Sequence, residues 1–216
     1  MENTKMRIRV TFLENILGTN PNNKEIFSDY ISSKAPDAKT RDEEVEEFGA
    51  DEVRDKQTTV FNRTADGKPF FYDYHVKGFF KDTCGALRQV KGTECSNMKA
   101  YKKLIDGLIF VFPRKIVFND VTPDEITLCE RPLRASTPQG ERVALACSES
   151  IPAGKTIEFE IALLKPELKD WAVEMLNYGI YRGFGQWRNA GCGRFVWEEL
   201  DAEGNVIGGN YHEYMD

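Results

Sequence analysis

The chain of 216 residues holds 29 Lys and Arg against 35 Asp and Glu, a formal net charge of −6, which excludes a uniformly basic nucleic-acid binder and leaves any such surface to local charge. No apolar run approaches the roughly 20 residues needed to span a bilayer, and MENTKMRIRV lacks the apolar middle of a secretory signal, so no membrane partner and a cytoplasmic location are expected. Cys84, Cys95, Cys129, Cys147 and Cys192 form no CxxC pair and His75 and His212 are off ligand spacing, which reads as reduced thiols with no disulfide framework, structural metal or cofactor.

Along the chain, Met6, Ile8, Val10 and Phe12 alternate with Arg7, Arg9 and Thr11, the period of a strand with one face in the core. GTNPNN (18 to 23) is a loop, and Asn23 is placed to cap a helix through Ile26, Tyr30 and Ile31. Residues 41 to 56 read as a charged helical or mobile insertion. Thr58 to Phe71 predicts a hairpin turning at Ala65-Asp66-Gly67. From Val76 to Val90 the period becomes helical: Phe80, Cys84 and Leu87 share one face, and Lys77, Lys81 and Arg88 fall within about 40° of one another on another. That basic stripe reads either as the solvated outer face of an amphipathic helix or as a phosphate-facing surface.

Strands are predicted at Leu108 to Phe112, from Ile116, and around Leu128 to Ala135, Arg142 to Ser148 and Thr156 to Leu164, the last alternating Ile157, Phe159, Ile161 and Leu163 with Glu158 and Glu160. Pro166 opens a helix whose apolar face is Leu168, Trp171, Ala172, Met175 and Leu176, with Trp171 expected in the core. A last strand runs from Arg194 to Leu200, before a turn at Ala202 to Asn205.

The charge is uneven. Residues 37 to 56 hold nine acids and four bases and residues 198 to 216 six acids and no Lys or Arg, whereas 57 to 197 hold twenty Lys and Arg against sixteen Asp and Glu, a local excess of four. Within that part lies RGFGQWRNAGCGRF (182 to 195), with four glycines, three arginines and one tryptophan. Glycine permits positive φ and close backbone approach, arginine forks onto phosphate, and tryptophan offers a face to a base or anchors the loop against the second helix. The order helix, loop, strand excludes a dinucleotide-binding fingerprint, and GKS, GKT, GxSxG and HExxH are absent. Cys192, between two glycines, reads as a small filler.

Three segments together resemble the RAMP superfamily, the RNA-recognition-motif-like proteins that form backbone and processing subunits of CRISPR effector complexes: VKGFFKDTCGALR (76 to 88), SESIPAGKTIEFEIALL (148 to 164) and GFGQWRNAGCGRF (183 to 195). The resemblance implies an α+β, ferredoxin-like β-α-β-β-α-β sheet with helices on one face, insertions and a C-terminal glycine-rich loop. It implies one domain over 1 to 216, with the charged insertion at about 37 to 57. It further implies single-stranded RNA held along the sheet and the loop, in a homo-oligomer or as a subunit of a ribonucleoprotein complex. Carried over by position, the RNA contacts are Lys77, Lys81, Arg88, Arg182, Gly183, Gly185, Trp187, Arg188, Gly191, Gly193 and Arg194. Target-cleaving members carry an aspartate in the loop after the first strand, whereas GTNPNN has none; a non-catalytic binder is therefore expected. Two alternatives stand beside it. One is a metal-free endoribonuclease with His75 as general base and Tyr72 or Tyr74 assisting. The other is a phage-borne or stand-alone interaction protein that mimics or inhibits a CRISPR complex, suggested by the acidic segment 37 to 56.

Overall fold

The computed structural model describes residues 4–22, 58–137 and 140–215. The helix expected after Asn23, the charged segment 41 to 56 and the insertion at about 37 to 57 lie outside the described residues. The chain begins with β1 (Thr4–Phe12), followed by the short strands β2 (Ile16–Leu17) and β3 (Asn20–Pro21). The chain re-enters at β4 (Thr59–Val60). The expected hairpin forms from β5 (Asn62–Arg63) and β6 (Pro69–Tyr72), and Gly67 at its turn has φ +82°.

β6 runs directly into α1 (Asp73–Leu87), which starts three residues before Val76 and stops three before Val90. Its buried residues Val76, Phe79, Phe80, Thr83 and Cys84 set that length. Asp73 favours the first turn electrostatically, and beyond Leu87 there is nothing apolar to cover: Val90 is exposed and the Thr93 hydroxyl donates to the Leu87 carbonyl at 2.9 Å. The next helix, α2 (Tyr101–Leu108), was not predicted, although Tyr101, Leu104, Ile105 and Leu108 follow its period. Eight residues with Lys102, Lys103, Asp106 and Gly107 among them are too short and polar a signal to stand out.

After α2 come β7 (Ile109–Phe112), β8 (Lys115–Val117) and the long hairpin β9 (Thr127–Thr137) and β10 (Gly140–Ile151), whose register runs from Thr127 opposite Ser150 to Thr137 opposite Gly140. Then follow β11 (Thr156–Leu163), α3 (Leu168–Asn177), β12 (Phe195–Leu200), β13 (Val206–Gly209) and α4 (Tyr211–Met215). The main sheet has the order β13-β12-β1-β11-β7. Stripped of β13, it is the ferredoxin-like order, assembled from β1, α1, β7, β11, α3 and β12. A second sheet, β2-β10-β4-β3 with β9 beside β10, holds the base of the hairpin, and β5-β6-β8 form a third.

Alternation decides what each face of the main sheet meets. Met6, Ile8, Val10 and Phe12 on β1, and Ile157, Phe159 and Ile161 on β11, are buried with Val76, Phe79 and Phe80 of α1 and Ala172, Met175 and Leu176 of α3. Trp171, expected in that core, is only partly buried at its rim, because Leu168, Ala172 and Met175 already fill the face of α3. An aromatic cluster closes the end of the core near the glycine-rich loop: Phe195 stacks on Phe184 at 4.8 Å and 4°, and meets Phe79 at 5.2 Å and Phe12 at 6.4 Å.

Phe195 is fully buried among three other rings, so Phe195→Ala should cost about 3–5 kcal/mol of unfolding free energy. Urea denaturation measures this, and a loss below about 1 kcal/mol would mean that the cluster collapses to fill the void.

Candidate nucleic-acid interface

The glycine-rich loop is built by its neck. A Cβ on Gly183 would lie 1.5 Å from the Gly193 carbonyl oxygen, and one on Gly193, at φ +71°, would lie 2.1 Å from the Phe184 carbonyl oxygen. The two arms cross at backbone contact, joined by Phe184 N donating to Gly193 O at 3.1 Å, while Gly193 N donates to Asn15 O at 2.9 Å. Phe184 then drops into the aromatic cluster. Gly185, at φ +78°, passes 2.7 Å (as a Cβ) from Leu17 O, and Gly191, at φ +91°, ends the turn from Arg188 to Ala190. These glycines are thus required by the loop's own path. Gly183 and Gly193 are buried, which corrects the expectation that their amides face RNA.

The tip of the loop faces the outer side of α1. Between them lies a groove of about 640 Å³, lined by Gly78, Lys81, Asp82 and Gly85 of α1 and by Arg182 and Arg188 of the loop, with Tyr101 and Lys102 across from them. Asp82 organises it: its Oδ2 accepts from Arg182 Nε at 2.5 Å and Arg188 Nη1 at 3.1 Å, while Arg182 Nη1 also donates to Asn189 Oδ1 at 2.7 Å. Four cations therefore line the groove around one carboxylate. A guanidinium fork held on two sides is already oriented for a further oxygen anion. Gly78 and Gly85, seven residues apart, lie on one line along the helix; the Gly78 position is open, whereas a Cβ at Gly85 would lie 3.1 Å from the Tyr101 hydroxyl.

The predicted basic stripe divides. Lys81 reaches the groove, tethered to Asp106 Oδ1 at 2.6 Å. Lys77 instead donates to Asp106 O at 3.2 Å with its ammonium 4.7 Å from the Phe110 ring, and Arg88 lies 5.1 Å over Tyr101. Both are taken up by the unpredicted α2 and the strand after it. Arg194 pairs with Glu14 at 2.9 Å, away from the groove. Trp187, at φ +54°, is neither bare nor buried on the second helix: it is 45% exposed and lies 5.0 Å over the guanidinium of Arg131 from β9. The sequence reading missed Asp82, Arg131 and the line of Gly78 and Gly85; only the glycine spacing was visible as a signal.

The central strands of the sheet present ion pairs on their outer face where an RNA-recognition fold presents aromatic rings, and the exposed ring there, Phe112, lies on the edge strand β7. Lys5 pairs with Glu160 at 3.0 Å, Arg7 and Arg9 with Glu158 at 2.8 and 2.9 Å, and Arg9 also with Glu198 at 3.7 Å, so three cations meet three carboxylates. Partial burial pushes the Glu158 carboxyl up, but the two guanidinium hydrogen bonds outweigh it and hold the group below its usual range.

His75 sits beside the groove in a smaller cleft of about 280 Å³ with Tyr74, Gly78, Phe184, Gly185 and Arg188. Its Nδ1 lies 3.2 Å from Tyr72 O and its Nε2 3.1 Å from Thr19 Oγ1, so the neutral ring donates to the carbonyl and accepts from the hydroxyl. The ring also stacks on Tyr74 at 4.5 Å. Burial lowers its pKa, outweighing the Tyr72 carbonyl and the Asp73 charge, which raise it. With both nitrogens engaged, the imidazole joins α1 to the loop after β1; Tyr72 and Tyr74 stack on one another at 5.3 Å under the Arg114 guanidinium.

Because the folded pKa of His75 lies below its ordinary 6.5, the unfolded chain binds the extra proton. Stability should therefore rise as pH climbs from the folded pKa to about 6.5 and gain nothing from His75 above it. His75→Gln should flatten that acid-side slope in thermal melts; an unchanged slope would assign it to other groups. Gly183→Ala should lower the melting temperature strongly, because its Cβ has no space at the neck, whereas an unchanged melt would show that the arms of the loop separate freely.

No family model and no curated protein matches the chain. Among solved structures, a chain of the type III-B Cmr-beta bound to cognate target RNA matches with TM-score 0.51 at 11% identity, over 93% of this chain and 60% of that one. A chain of a type IV-B CRISPR complex matches with TM-score 0.46 at 13% identity, over 95% of this chain and 94% of that one. The chain thus spans 60% of the length of the Cmr-beta chain, and what the two share at that identity is the α+β, RRM-like fold.

Proposed function

We propose that this protein is a non-catalytic, RNA-binding subunit of a CRISPR-effector-like ribonucleoprotein, and that it grips the sugar-phosphate chain of single-stranded RNA in the groove between α1 and the glycine-rich loop. The observation that carries this reading is Gly78. A Cβ there meets nothing within 4 Å, so no packing within the described residues demands glycine, and alanine would favour the helix by about 0.8–1 kcal/mol. Glycine in mid-helix, facing Lys81, Arg182 and Arg188, leaves room for the close approach of something beyond the described residues. A phosphodiester backbone fits the cations, and its contacts fix position without reading bases, so little sequence preference is expected. The RNA in the Cmr-beta structure agrees with this class of ligand.

Both ring nitrogens of His75 have partners within the chain, which favours the binding reading over the endoribonuclease alternative. The interaction-protein alternative draws on segment 37 to 56, outside the described residues.

Gly78→Ala is the discriminating variant. It should raise the melting temperature slightly and weaken binding of a single-stranded oligouridylate several-fold in fluorescence anisotropy, because a methyl group intrudes on the open position. Lys81→Ala with Arg188→Ala should lower the slope of log affinity against log salt by roughly 1.4, at about 0.7 per phosphate contact. Lys77→Ala, whose ammonium is engaged with α2, should bind as wild type. Unchanged affinity in Gly78→Ala and in the double variant would sink the proposal.

A further inference from the structure

The base of the β9–β10 hairpin meets the tip of the glycine-rich loop around a cation for which the described residues hold no anion. Arg131 is 7% exposed, yet its acceptors are neutral: Nη1 donates to Ser148 Oγ at 3.1 Å and Nη2 to Gln186 Oε1 at 3.3 Å. Its Nε has no acceptor. Among the described residues, every other ion-paired arginine has a named carboxylate, and none lies within salt-bridge distance of Arg131. A guanidinium stays protonated at any pH the fold survives, and removing it from water without a counter-charge is among the costliest arrangements a protein interior can hold.

Among the described residues, Arg194 Nε is likewise buried without a partner, but its guanidinium already donates through Nη2 to Glu14 at 2.9 Å, so Arg131 is the cation left without a counter-charge. An orphaned buried donor of this kind calls for an ion or water, and a guanidinium selects an oxyanion.

We propose that this junction is a phosphate-binding seat in which Arg131 supplies the charge and Trp187 the cover. The indole lies over the guanidinium and remains 45% exposed, so its outer face is free to stack on a base attached to the bound phosphate. The source of the phosphate is either a phosphodiester of the strand in the groove, which rests on the RNA reading above, or a free phosphate. Gln186 and Trp187 border the groove's neighbouring cleft with Arg182 and Arg188, so a single strand that crosses α1 reaches the seat within the length of the loop tip.

The test uses the full chain in chloride buffer, with inorganic phosphate followed by thermal melting and an oligouridylate followed by anisotropy, for wild type and Arg131→Met. Phosphate should raise the wild-type melting temperature and leave the variant's unchanged. Without phosphate the variant should melt higher than wild type, because an uncompensated charge has been removed. Its oligouridylate affinity should fall about tenfold, with a salt slope shallower by about 0.7. A variant that melts lower, with the phosphate shift intact, would overturn the seat by showing that an acid of the chain answers Arg131. Binding of oligouridylate that is unchanged in Arg131→Met but lost in Gly78→Ala would overturn the seat and keep the RNA reading. An Arg131-dependent phosphate shift without any oligouridylate binding would keep the seat, assign it to free phosphate and end the RNA reading. Should Arg131→Met fail to fold, Arg131→Lys retains the charge without the Nε donor; a several-fold loss in both titrations supports the seat and equality with wild type refutes it.

Discussion

At the neck of the glycine-rich loop the backbone of Gly183 lies against that of Gly193, and Phe184 between them stacks on Phe195 in the core. Everything at the candidate interface depends on that crossing. It converts a fourteen-residue run into a loop whose base has the stability of the aromatic cluster and whose tip, from Gln186 to Ala190, is held facing α1. Two arms in backbone contact leave no volume for a side chain, which is why the positions are glycine, and a cluster of four phenylalanines beneath, Phe184 and Phe195 parallel and the other two tilted or edge-on, gives the crossing an apolar anchor. The outward residues Trp187 and Arg188 are therefore positioned by residues buried beneath them.

Electrostatics then decides which surfaces remain available. The outer face of the main sheet spends its cations internally, with Lys5, Arg7 and Arg9 matched against Glu158, Glu160 and Glu198. Lys77 and Arg88 are absorbed by α2 and its surroundings. What is left is concentrated around Asp82, where one carboxylate orients two guanidinium groups without neutralising both. A net charge of −6 is compatible with an anion-binding groove, because screening over about 8–10 Å makes the local ratio count for more than the total.

The elements read directly from the chain were those whose pattern is local and repeated. β1 and β11 show a two-residue alternation over eight or nine residues, and both form where expected, paired with each other and buried on the expected face. α1 was visible, but its ends were set by contacts: β6 delivers the chain to Asp73, and the absence of a partner for Val90 ends it. α2 has the right period over too few residues to be distinguished from a polar loop. The four-glycine loop was located correctly from composition, yet its glycines serve its own crossing, while the glycine that packing among the described residues does not explain, Gly78, lies in a helix, where the sequence marks it only as part of the segment VKGFFKDTCGALR.

The amino-acid sequence by itself determined the α+β class, the inward face of each long strand, the position of the loop and the arginines at its tip, since these follow from periodicity and residue chemistry within a few neighbours. Tertiary structure alone decided which partner each cation meets. Asp82 is 100 residues from Arg182 and 106 from Arg188, and Arg131 is 55 from Gln186; no local pattern encodes such pairings, because the partner of a side chain is chosen by how the sheets and helices pack around it.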